Sequence, residues 1–325
     1  MNLKIESLRV MKRISRLLSI SFLVLAVLPW PSFAAEPLSV VASFSILGDL
    51  VRTVGGEQVR VTTLVGADGD AHVYQPTPSD AKAMAKARLV IVNGLGFEGW
   101  LERLIKASGF TGQVVVASSG VNIRAMTIAH EEHHEQEGHH HGPVDPHAWQ
   151  DLRNGMIYVQ NIVAALAEAD PTHALNYRHR AEDYLAQLKA LDQEIHQRLA
   201  TLPPERRKIL TSHDAFGYFA EAYGLTILAP VGISTDAEAS AADVAALIRQ
   251  VRSSKVKAIF VENITDPRLI ERIAAETGAR VGGALYSDAL SGSQGLATTY
   301  LAMFRNNLRV LLAVLATSGG SGLNH

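Results

Sequence analysis

Pro171-Thr-His-Ala-Leu-Asn-Tyr-Arg-His-Arg-Ala-Glu-Asp-Tyr-Leu-Ala-Gln-Leu-Lys-Ala-Leu-Asp-Gln-Glu-Ile-His-Gln-Arg-Leu-Ala-Thr-Leu202 sets the plan of the molecule. Its apolar side chains Ala181, Tyr184, Leu188, Leu191, Ile195 and Leu199 recur in steps of three or four, the period of a helix with one buried stripe. Asp170 suits an N-cap ahead of Pro171, and Pro203-Pro204 closes the element. Unbroken, such a helix spans about 45 Å at roughly 1.5 Å per residue. That is enough to run along two lobes, and a rigid helix between lobes permits only small hinge motion.

On either side of this helix, short β-branched runs alternate with amphipathic stretches. Before it lie Leu38-Ser-Val-Val-Ala-Ser-Phe, Val59-Arg-Val-Thr-Thr-Leu-Val, Leu89-Val-Ile-Val-Asn and Val114-Val-Val-Ala-Ser. The third and fourth are continuously apolar, the pattern of strands buried on both faces of a parallel sheet. The rhythm returns in Lys208-Ile-Leu-Thr-Ser, Thr226-Ile-Leu-Ala-Pro, Val256-Lys-Ala-Ile-Phe-Val-Glu and Ala279-Arg-Val-Gly-Gly-Ala-Leu. The fold class expected is therefore α/β: two lobes, 35–170 and 203–325, each a parallel sheet flanked by helices, joined by the helix 171–202.

Lys4, Arg9, Lys12, Arg13 and Arg16 precede an uncharged apolar run from Leu17 to Leu28, and small Ser32 and Ala34 stand before a cleavage site at Ala35. Residues 1–34 read as a signal peptide, the run being shorter than the roughly 20 residues that span a bilayer. The chain has no cysteine, so the expectation is an exported protein free of disulfides, not lipid-anchored, retained in the periplasm. A net charge of −2 and 6% aromatic residues supply no basic stripe for nucleic acid. A monomer is expected.

With thirteen histidines and no cysteine, a transition-metal site here must be built from imidazole and carboxylate. His72, His147 and His213 each sit where strand gives way to turn or helix, in Asp70-Ala-His-Val-Tyr-Gln-Pro, Asp145-Pro-His-Ala-Trp and Thr211-Ser-His-Asp-Ala. His213 and Asp288 both follow a strand directly, and ligands gather at the carboxyl ends of strands in such sheets. Three neutral imidazoles and a carboxylate suit Zn2+ in tetrahedral geometry, in the cleft between lobes. A site whose four positions are all filled holds an ion and leaves no bound water to activate, so no enzyme is expected. The alternative, a zinc-dependent hydrolase, requires an open position.

These segments, with Ala42-Ser-Phe-Ser-Ile-Leu-Gly-Asp-Leu, Asn93-Gly-Leu-Gly-Phe-Glu-Gly-Trp and Val261-Glu-Asn-Ile, resemble the cluster A-I metal-binding receptors of zinc and manganese ABC importers, in order and over nearly the whole mature chain. The resemblance implies that His72 and His147 come from the first lobe and His213 and Asp288 from the second. It implies delivery of the ion to a membrane permease driven by a cytoplasmic ATPase. Manganese-selective members often carry a carboxylate in place of His213, which favours zinc here; other members with three histidines bind manganese, so Mn2+ stays open as the cargo.

The segment 129–143 carries His130, His133, His134, His139, His140 and His141 among glutamates and no apolar residue from His130 to Gly142. It reads as a disordered loop that either collects metal at low affinity, with or without a periplasmic zinc donor, or is a tolerated insertion. His130-Glu-Glu-His-His matches a zinc-protease pattern, but its polar flanks do not make the apolar-backed helix that chemistry needs. Elsewhere, Glu262 either orients a ligand from behind or caps a helix, and Asp214 is expected to cap the helix after His213. His173, His179 and His196 are expected to be solvated, and His325 to lie in a disordered tail. Gly94-Leu-Gly lacks the third glycine of a dinucleotide loop.

Overall fold

The computed structural model describes residues 36–125, 144–230, 232, 235, 240–256 and 258–316. The expected signal peptide, the histidine-rich segment 129–143 and His325 lie outside the described residues.

The first lobe is a parallel sheet of β1 (Leu38–Phe44), β2 (Val59–Val65), β3 (Leu89–Val92) and β4 (Gln113–Val116) in the order β2-β1-β3-β4. Helices α1 (Ser45–Gly55), α2 (Pro78–Lys86) and α3 (Leu101–Ser108) connect successive strands, and α4 (Leu152–Ala169) follows. The second lobe repeats the plan with β5 (Lys208–Leu210), β6 (Thr226–Leu228), β7 (Ala258–Glu262) and β8 (Arg280–Leu285) in the order β6-β5-β7-β8. In each sheet the strand order reverses between the first and third strands, which opens a crevice beyond their carboxyl ends. The two crevices are lined by the residues after β1 and β3 and after β5 and β7.

The linking element begins as a 3-10 turn over Pro171–His173 and becomes the α-helix α5 over Ala174–Ala200. Its 27 residues span about 40 Å at roughly 1.5 Å each. The expected stripe is its buried face, extended by Tyr177. It packs on α1 and α4 in the first lobe, and on α6 (Gly217–Tyr223) and α7 (Tyr300–Leu315) in the second. Asp170 does not cap the backbone; its carboxylate instead takes the Tyr177 hydroxyl and the His173 ring, both at 2.7 Å.

Two expectations are corrected. β3 is buried along its length, but β4 is an edge strand with β3 as its one neighbour, and Val114 and Val116 are each 39% exposed. Apolarity reports what a residue tolerates, not the position its strand takes in the sheet. Asp214 does not cap α6, which starts after Phe216 without a side-chain cap. Of the helix histidines, His179 and His196 are exposed as expected, His196 also lying edge-on to Tyr223 at 4.9 Å, whereas His173 is half-buried and held by Asp170.

Candidate metal centre

Three strand-end loops and one short turn bring the four sequence-derived residues together. His72 lies in the loop between β2 and α2. Asp70 Oδ1 accepts from the His72 backbone N–H at 2.9 Å, and Trp100 Nε1 donates to Ala71 O at 2.9 Å while its ring packs on Tyr74. His147 precedes a 3-10 turn at Ala148–Gln150. His213 follows β5, and Asp288 follows β8.

The donor atoms of all four lie within 4.8 Å of one another. His72 Nε2 is 3.3 Å from His147 Nε2 and 3.2 Å from Asp288 Oδ2. The same oxygen is 3.6 Å from His147 Nε2 and 3.1 Å from His213 Nε2. His147, His213 and Asp288 are wholly buried, and His72 retains 5% side-chain exposure, which makes it the member nearest solvent. Asp288 Oδ1 is buried with no hydrogen-bond partner. A buried carboxylate oxygen left so is expensive unless a cation meets it.

Behind the ring of donors stand two further carboxylates. Asp145 Oδ1 lies 2.9 Å from His147 Nδ1 and accepts from its backbone N–H at 3.0 Å, while Oδ2 is paired with Arg124 at 2.9 Å. Glu262 ends β7, next to β5 at the reversal of strand order; its Oε1 accepts from the His213 backbone N–H at 2.9 Å and Oε2 lies 2.7 Å from His213 Nδ1. That last contact is close but poorly aligned, so we regard it as charge attraction more than a directed hydrogen bond. Glu262 is thus the orienting residue, one of the two roles its position suggested. Asp145 is a second orienting carboxylate that the sequence reading leaves without a role, and an acid two residues before a ligating histidine is the signal for it.

Burial works against a charged His147, but the carboxylates of Asp288 and Asp145 outweigh it and push its pKa up to about 9. His213 is driven well above the ordinary imidazole value in the same way, by Glu262 and Asp288 against the cost of burial. Burial would raise Asp288, yet His147 and His213 hold it well below the usual carboxylate range. The Asn93–Glu98 turn anchors the site from the first lobe. Gly94, Leu95 and Gly96 all take positive φ, and Glu98 receives the Asn93 and Gly94 backbone N–H groups and the Ser43 hydroxyl. The glycines of this turn therefore cradle the chain's own carboxylate and not a phosphate, while Asn93 Nδ2 donates to Pro146 O beside His147.

Two α/β lobes on a shared helix, closing three imidazoles and a carboxylate between them, define a metal-ion receptor by architecture. The family model for the periplasmic component A of the zinc-uptake complex matches residues 40–314, and the chain belongs to that family. Its members are substrate-binding components of transporters and not enzymes. The manganese-binding lipoprotein MntA of Halalkalibacterium halodurans is 34% identical over 86% of this chain and 89% of its own length. The iron-binding protein YfeA of Yersinia pestis is 33% identical over 84% and 85%. The solved periplasmic zinc-binding protein TroA of Treponema pallidum superposes with a TM-score of 0.77 at 28% identity, covering 86% of this chain and 99% of TroA.

The relatives correct one expectation. MntA is named a lipoprotein, which overturns the expectation of a receptor without a lipid anchor and leaves a place outside the cytoplasm.

Proposed function

We propose that this chain is the receptor of an ABC importer that captures Zn2+ with His72, His147, His213 and Asp288 and hands it to a membrane permease coupled to a cytoplasmic ATPase. The convergence of the four donors carries the reading. Zinc bonds of about 2.0 to 2.1 Å in a tetrahedron imply donor-to-donor edges of about 3.3 to 3.4 Å. Four of the six donor-to-donor separations, 3.1, 3.2, 3.3 and 3.6 Å, bracket that value, and all six lie within 4.8 Å.

Charge supports a dication. With neutral imidazoles, Asp145 is balanced by Arg124, while among the described residues the wholly buried carboxylates of Asp288 and Glu262 meet only His213 and its fellow donors and place two negative charges at the centre. One doubly charged ion offsets those two. Four protein donors around one point also leave zinc no vacant position for an activated water, which disfavours a hydrolase.

One observation favours manganese as a second reading. The unpartnered Asp288 Oδ1 could serve as a further oxygen donor, and harder oxygen ligands suit that ion. The test is to strip the purified protein, offer zinc and manganese together at equal concentration, and measure retained metal by mass spectrometry, with a His213→Glu variant alongside. One zinc per chain, shifted toward manganese by the variant, is the expected outcome. Manganese retained by the wild type replaces the cargo, and no tightly held metal defeats the receptor reading.

A further inference from the structure

Asp68 is one of three described non-glycine residues with positive φ, at 54°. Aspartate in this region is tolerated but uncommon, and such a backbone persists where surrounding contacts hold it. Among the described residues, the hydrogen bonds that hold Asp68 all come from the opposite lobe. The Asp68 backbone N–H donates to Leu290 O at 2.8 Å. Its Oδ1 accepts from Asn263 Nδ2 at 3.0 Å, and its Oδ2 accepts from the Gly292 backbone N–H at 3.3 Å.

The placement of these partners matters. Asp68 stands four residues before His72 in the same loop. Leu290 stands two residues after Asp288, and Asn263 directly follows Glu262, which holds the His213 ring. Asn263 also reaches Ala289 O at 3.3 Å, so it ties the Glu262 and Asp288 loops to each other as well as to Asp68. A single side chain therefore joins, outside the metal centre, the loop that brings in His72 to the loop that brings in Asp288 and to the turn after Glu262, the carboxylate behind His213.

The geometry points to Asp68 as an interlobe clip, a positioning residue that sets how long the captured ion is held by keeping the His72 loop against the Asp288 loop; this role rests on the metal-receptor reading above. His72 is the donor nearest solvent and sits on the clipped loop, so parting that loop from the second lobe is the shortest way to open the site. The stretch between is stiff enough to transmit the restraint, since Asp70 holds the His72 backbone and Trp100 holds Ala71.

Release kinetics test the clip. Wild type, Asp68→Gly, Asp68→Asn and Asn263→Ala are each loaded with zinc, and separately with manganese, and mixed with excess chromogenic chelator in a stopped-flow instrument. Glycine keeps the positive φ free of strain and removes only the carboxylate; asparagine keeps the shape and loses the charge. Release from Asp68→Gly is expected to quicken about tenfold, the factor for losing hydrogen bonds to a charged group. Asn263→Ala should give a smaller increase and Asp68→Asn an intermediate one, with association rates within about twofold of wild type and one metal per chain throughout, because bond-breaking mutations act chiefly on dissociation. Asp68→Gly and Asn263→Ala both releasing metal at the wild-type rate, even with a lowered Tm of the metal-free protein, would show a merely structural residue and overturn the clip alone. A wild type that retains neither metal overturns the receptor reading and the clip with it.

Discussion

Glu262, the last residue of β7, gives both carboxylate oxygens to His213, one to its backbone N–H and one to Nδ1 of its ring. It thereby turns Nε2 toward Asp288 and makes the ring a better donor. Glu262→Gln keeps the shape and removes the charge, and metal affinity should fall about 10- to 100-fold, the usual cost of losing an orienting partner. Chelator competition measures this, and an unchanged affinity would leave Glu262 a packing residue. At this scale the sequence was readable where chemistry is scarce: without cysteine, a histidine at a strand end has few competing uses. Asp214 shows the limit, because capping is a matter of backbone angles at Phe216 and α6, which neighbouring residue types do not reveal.

Among the elements, α5 was the most legible, since a stripe repeating over many turns averages out local exceptions. Leu188, on that stripe near the middle of the helix, is fully buried. Leu188→Ala should cost about 2 to 5 kcal/mol of folding stability, the range for a leucine truncated in a closed core. Urea unfolding measures the loss, and one metal per folded chain should still bind, because no donor rests on that side chain. A stability within error of wild type would mean that the interface of α5 repacks easily. β4 departs from its expected burial for a reason of the same scale. An edge and a centre can carry the same apolar run, and only strand order, fixed by connections far away in sequence, tells them apart.

For the whole molecule, the metal centre joins the two lobes, and its protons link capture to pH. Without metal, His147 keeps its proton up to about pH 9, and His213 is likewise held protonated well above the ordinary imidazole value. An imidazole must shed its proton to ligate, so capture near pH 7.5 should release about two protons, and affinity should climb with pH toward about 9 instead of levelling off above about 6.5. The sign for stability is opposite in the metal-free chain. A histidine whose folded pKa is raised stabilises the fold fully below the unfolded value of about 6.5, and that contribution fades as pH rises through about 9. The low pKa of Asp288 adds nothing to this window, because its contribution is present above the unfolded carboxylate value and disappears only in acid. The gap in Tm between metal-loaded and metal-free protein should therefore widen from pH 6.5 to 9, the loaded form having already exchanged those protons for the ion. Scanning calorimetry of both forms across that range, with titration calorimetry in buffers of different ionisation enthalpy to count protons, tests the exchange. A constant gap together with no proton release would mean that the imidazoles are neutral before the metal arrives, and that the carboxylates behind them orient the rings without charging them.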